Sequence, residues 1–141
     1  VLPSTTHLLA LLALLEAKGD ATVRRAAIKP PSPAFAPHCI TPLPAEVLDF
    51  CREVDECTIF PAGLRFARHS LKDCLDSGRA GERYVQLATT TQTGLYLLRA
   101  RDNAVCFGFP FGCEWDRLPP HVVARSFVLW LEQVIAESMD D

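Results

Sequence analysis

The stretch YVQLATTTQTGLYLLRARDNAVCFG, from Tyr84 to Gly108, limits the possible folds more than any other part of the chain. It contains three short runs, Tyr84 to Thr90, Leu95 to Ala100 and Ala104 to Phe109, separated by polar breaks. The first alternates, with Val85, Leu87 and Thr89 on one side and Tyr84, Gln86 and Ala88 on the other. Such alternation marks strands of a half-buried sheet. Arg101-Asp102-Asn103 reads as a tight turn, because Asp and Asn tolerate left-handed backbone. The ladder therefore predicts an antiparallel meander with one face closed by helices.

The rest of the chain supplies those helices. Thr5 to Lys18 reads as a helix capped by Ser4, Thr5 or Thr6 and stopped by Gly19. Its apolar residues surround most of the circumference, which predicts packing on several sides. Leu8 to Leu15 is too short to span a bilayer, and no Lys or Arg precedes it as in a secretory leader. A second helix opens at Leu43-Pro44-Ala45-Glu46, with proline at its first turn and Glu46 at the positive end of the dipole. Leu43, Val47, Phe50, Cys51 and Val54 form its buried stripe, and Asp49, Arg52, Glu53 and Glu56 its polar face. The final helix is expected beyond Pro119-Pro120, reaching about Ser138, on a stripe of Val123, Phe127, Trp130, Leu131, Val134 and Ile135.

Between these elements, Cys57 to Phe60 and Leu64 to Ala67 read as strands around a turn at Pro61-Ala62-Gly63. His69 to Ser77 reads as a short helix or a loop, and Ser77 to Gly81 as a loop. From about Ala21 to Thr41 the periodicity vanishes, and Pro30, Pro31, Pro33 and Pro37 predict an extended surface segment. Its leading cluster, Arg24, Arg25 and Lys29, reads as a solvated linker. The expected architecture is α+β, an antiparallel meander of about 5–6 short strands packed against N-terminal and C-terminal helices. It forms a single domain over residues 1–141, in keeping with a length of 141 residues and 49% hydrophobic composition.

Chemistry is hard to find. The sequence holds no phosphate loop, no Cys-x-x-Cys and no His-Glu-x-x-His, and its His residues stand far apart. No catalytic residue, metal site or cofactor is therefore expected. A net charge of −3 and a pI near 5.8 argue against nucleic acid as a partner. The six cysteines are irregularly spaced, and Cys51 and Cys106 fall on apolar stripes, so reduced thiols in a cytoplasmic protein are expected. A small secreted protein with disulfides is the alternative. Trp115, flanked by Glu114, Asp116 and Arg117, reads either as cover for a core edge or as an exposed anchor for a partner.

The order of LPAEVLDFCREVDE, TIFPAGLRF, the Tyr84 to Gly108 ladder and ARSFVLWLEQVI resembles the SUKH superfamily, known chiefly from bacterial immunity proteins. The closing segment is similar to the superfamily's Ser-Phe-x-x-Trp-Leu opening, here Ser126, Phe127, Trp130 and Leu131. The resemblance implies a non-enzymatic protein that binds and neutralises a cognate toxin domain. A nuclease with a basic cleft is the partner class that suits an acidic inhibitor. On that reading Asp49, Glu53, Asp55, Glu56, Glu114 and Asp116 are the candidate acidic contacts, and Arg68 and Trp115 the anchors. A viral or eukaryotic regulatory protein of the same fold is the competing implication. No membrane partner is expected.

Overall fold

The computed structural model describes residues 2–25, 39, 41–60, 63–75, 83–91, 94–108 and 120–139. The chain is an α+β protein in which three helices pack against an antiparallel sheet. The helices are α1 (Pro3–Lys18), α2 (Ala45–Glu53) and α3 (Phe127–Met139). The strands are β1 (Ala21–Arg25), β2 (Val54–Ile59), β3 (Leu64–Ala67) and β4 (Lys72–Leu75), then β5 (Arg83–Thr89), β6 (Leu95–Arg99), β7 (Val105–Gly108) and β8 (His121–Ala124). They line up as β1-β2-β3-β5-β6-β7-β8, with β4 beside β3 along the same edge of β5. Among the described residues the sheet is thus eight-stranded, wider than expected.

The helix side of the sheet buries Cys57, Ile59, Leu64, Phe66, Val85, Leu98 and Val105 in one cluster with the helices. α1 contributes Leu8, Leu12 and Leu15, and α2 Val47, Phe50 and Cys51. From this core to the exposed His121 runs a file of ring contacts, Phe66–Phe50–Phe127–Trp130–Tyr96–Phe107–His121, with successive centroids 5.0–6.0 Å apart. Such edge and tilted contacts fix ring orientation as well as burying area. Tyr84, Leu95, Leu97 and Cys106 form a second buried cluster. Residue-by-residue alternation along β6 and β7 puts that cluster on the opposite side of the sheet from Leu98 and Val105.

Several expectations change. β1 occupies the start of the segment read as extended linker, because Ala21 and Val23 turn inward while Thr22 and Arg24 pair across β2 with Thr58 and Glu56. The stretch after His69 is a single 3₁₀ turn (Arg68–Ser70) followed by β4, held by pairing with β5. Val123 lies in β8; α3 begins only at Phe127, where the Ser126 hydroxyl accepts the Leu129 N–H at 3.2 Å. A bulge at Leu87 breaks the predicted alternation of β5, so that Ala88 joins Val85 and Leu87 in the core. α1 buries chiefly one stripe, leaving Leu14 56% exposed, because three of its apolar positions are the small residues Ala10, Ala13 and Ala17 on the outer side.

Two glycines are dictated by close approach. Gly63 has φ +65° and lies against the Thr91 side chain, while a Cβ at Gly94 would strike the Phe107 ring. The Arg101-Asp102-Asn103 turn is as expected. Asn103 takes φ 58°, and the Asp102 carboxylate accepts the Ala104 N–H at 3.2 Å and pairs with Arg99. The turn at Pro61-Ala62, the loop at 77–81, residues 26–38 and Asp140-Asp141 lie outside the described residues.

Candidate functional site

The carboxylates and arginines singled out in the sequence divide into two groups. Glu46 and Asp49 lie one turn apart on α2, and each reaches the N-terminus of another helix. Asp49 Oδ2 accepts the Leu2 N–H at 2.8 Å ahead of α1, and its carboxylate also takes a hydrogen bond from the Thr5 hydroxyl. Glu46 Oε1 accepts the Phe127 N–H, the first of α3, at 3.2 Å. A helix start leaves its first amides without internal partners and carries a positive dipole end, so a carboxylate suits it twice over. No side chain at Leu2 can perform this service. Asp49 is accordingly only 8% exposed, and its carboxyl lies below the usual carboxylate range, chiefly through the Thr5 hydroxyl and the Leu2 amide. It is a helix-joining residue, with the exposed Arg52 guanidinium 4.0 Å away on the same helix.

The second group stands on the solvent side of β1, β2 and β3. It begins at the last turn of α2, where Arg68 Nη1 donates to the Cys51 carbonyl at 3.1 Å. Arg68 Nε donates to Asp55 Oδ1 at 3.1 Å, and Arg24 Nε to Asp55 Oδ2 at 2.8 Å. Arg24 Nη2 then reaches Glu56 Oε2 at 2.9 Å, and Arg65 Nε reaches Glu56 Oε1 at 2.7 Å. The result is an unbroken file, Cys51 carbonyl–Arg68–Asp55–Arg24–Glu56–Arg65, in which each carboxylate bridges two guanidiniums.

Local backbone sets this file. Arg24 pairs with Glu56 and Arg25 with Val54, which leaves Asp55 as the extra residue of a bulge. The bulge re-aims Asp55 sideways toward Arg68 while Glu56 stays in register between β1 and β3. Thr22, Thr58 and Arg65 make one cross-strand row, and Arg24, Glu56 and Ala67 the next. A depression of about 260 Å³ lies over β1 and β2, lined by Thr22, Arg24, Glu56 and Thr58 with Val23 and Cys57. The Arg65 hydrogen bond, with Arg24 and His69 adding charge, holds the Glu56 carboxyl below the usual range.

Of the residues expected to contact a partner, Asp55, Glu56 and Arg68 thus come together, and Glu53 closes α2 half-buried. Asp49 belongs to the helix joints, and Glu114, Trp115 and Asp116 lie outside the described residues. Arg24 and Arg65 were missed. The alternation of Ala21-Thr22-Val23-Arg24, small or apolar inward and polar outward, was the available signal for Arg24. Arg65 gave none, since its role depends on the pairing of β2 with β3.

Cys39, Cys51, Cys57 and Cys106 are free thiols. Burial pushes Cys51 and Cys57 up to about 12, which keeps them protonated and inert. Among the described residues no cluster of His, Cys, Asp and Glu has the makings of a metal site, and no helix is long and apolar enough to cross a membrane. No protein-family model matches the chain, and no curated protein or solved structure shows significant similarity to it.

Proposed function

We propose that this chain is a non-enzymatic protein-binding module that docks through the solvent side of β1, β2 and β3. The observation that carries this reading is the Arg68–Asp55–Arg24–Glu56–Arg65 file. Ion pairs made by exposed side chains add little to folding stability, so Arg24 and Arg65, 62% and 51% exposed, serve the fold weakly. Held in place before encounter, they lose less freedom when a partner arrives, which is the advantage of preorganisation. The SUKH resemblance gives the finer proposal: an immunity protein, acting in the cytoplasm of the producing cell, that masks a cognate toxin domain. The free thiols accord with a reducing compartment.

The test is to co-express the chain with the product of the adjacent open reading frame. A stoichiometric complex is expected, with inhibition of the toxin domain's activity. The double variant Asp55→Lys/Arg65→Glu is expected to weaken it by about a hundredfold while leaving thermal unfolding in place. Failure to recover a complex would count against the immunity reading. A complex indifferent to the double variant would move the docking surface elsewhere.

A further inference from the structure

The acidic balance of the whole chain gives way, on this face, to a positive one. Three guanidiniums share two carboxylates in the file. The two signs also stand at different depths. The side chains of Arg24 and Arg65 are 62% and 51% exposed, those of Asp55 and Glu56 only 25% and 22%. Each carboxylate is already bridged by two arginines, so its oxygens point into the file. The guanidiniums still hold unused N–H donors: Arg65 engages Glu56 through Nε alone, and Arg24 uses Nε and Nη2. A guanidinium has five such donors in a planar fork. An approaching molecule therefore meets donors and positive charge above recessed acid.

From this we infer that the face formed by Thr22, Arg24, Thr58 and Arg65 binds an acidic, extended protein segment, whose carboxylates seat on the free edges of Arg24 and Arg65. The inference rests on the docking role proposed above and specifies the chemistry of its partner. Arg24 and Arg65 are diagonal neighbours across β2, on successive cross-strand rows. Their guanidiniums nevertheless converge on the two oxygens of Glu56, and carboxylates at alternate positions of an extended segment project to one side, toward such a pair. Between the two arginines, the Thr22 and Thr58 hydroxyls line the depression and offer both donors and acceptors to the segment's backbone. Planar carboxylates suit the guanidinium fork through paired hydrogen bonds. A nucleic-acid strand is the less favoured occupant, because the Glu56 carboxylate lies directly between the two arginines and repels a continuous run of phosphates.

The experiment titrates the isotopically labelled chain with three probes and follows backbone amide shifts. The probes are a ten-residue peptide with glutamate at alternate positions, its lysine counterpart, and a single-stranded decanucleotide. The glutamate peptide is expected to move the amides of Thr22, Arg24, Thr58 and Arg65, and the other two to leave them in place. Arg24→Gln/Arg65→Gln should weaken the glutamate peptide by about tenfold, and Glu56→Gln should tighten it by about threefold, since removing the recessed charge favours an anion. Movement by the lysine peptide instead, with both variant effects reversed, would overturn the acidic assignment yet keep this face as a docking site. Equal movement by the decanucleotide would overturn the protein class. Silence from all three would overturn the inference. Loss of the co-expressed partner would fall on the proposed function alone.

Discussion

Two carboxylate pairs on consecutive elements meet opposite fates: Glu46 and Asp49 on α2, Asp55 and Glu56 on β2. The first pair faces backbone. Each of its members accepts an N–H from the start of a neighbouring helix, and together they tie α1, α2 and α3 into one layer. The second pair faces arginines at the surface. All four carboxylates accept hydrogen bonds, yet what would replace the partner differs. Water can take the place of a carboxylate beside Arg65, which is half exposed. It has little access to Thr5, which is 1% exposed against Asp49. The difference teaches that the worth of a charge lies in what its loss leaves behind.

The largest expected effect follows from that. Asp49→Ala strands the Leu2 N–H and the buried Thr5 hydroxyl, and should destabilise the fold by about 2 kcal/mol, read as a lowered urea midpoint. Asp49→Asn should recover part of the loss, because an amide oxygen still accepts. Equal losses for both would mean that charge against the helix dipole, more than the hydrogen bonds, is what matters. Glu46→Ala comes next, at about 1 kcal/mol, a typical figure for a lost helix cap. A negligible change there would show the Phe127 N–H satisfied by water, and the pairing of α2 with α3 through Glu46 would lose its meaning.

Acid separates the pairs further. Asp49 and Glu56 both have folded-state values below their ordinary ones, so each contributes stability that is present above the unfolded value, near pH 4. That stability is lost as pH falls through the lowered folded value. Acid unfolding curves in dilute buffer should show both contributions. At about 1 M salt, where the Debye length is about 3 Å, the exposed Glu56 contribution should vanish and the Asp49 contribution persist. Asp49→Asn should flatten the acid limb of the curve at either ionic strength. An acid limb that flattened completely with salt in the parent protein would erase the distinction.

The sequence carried the outline of the fold because its signals were local. The Val47, Phe50 and Cys51 stripe and the Phe127 to Ile135 stripe repeat at helical spacing, although Val54, expected on the same helix, opens β2; all but Val134 of the residues named for α3 from Phe127 onward are buried. The ladder from Tyr84 to Gly108 announced β5, β6 and β7 in the same way. What was illegible depended on a distant partner. β4 is a strand because β5 pairs with it, and the brief alternation of β1 becomes a strand only through its pairing with β2. The inward turn of Asp49 is a matter of the Leu2 amide, 47 residues away. The site suffered most, since Arg24, Asp55, Glu56 and Arg65 converge through a bulge and two strand registers, none of which has a sequence signature.

The smallest expected effect is the sharpest test of the comparison. Glu56 sits between Arg24 and Arg65 with short contacts of 2.9 and 2.7 Å, and by geometry alone it should matter as much as Asp49. Its partners are exposed arginines, however, and an exposed pair gains little once salt screening and the ordering of long side chains are counted. At about 1 M salt Glu56→Gln should therefore leave the urea midpoint unchanged, with the amide oxygen still able to accept from Arg65, while altering only what the face attracts. A midpoint that fell as far as in Asp49→Ala would make the arginine file part of the scaffold. The case for a docking surface would then lose its footing, because side chains that hold the sheet together cannot be read as held in readiness for a partner.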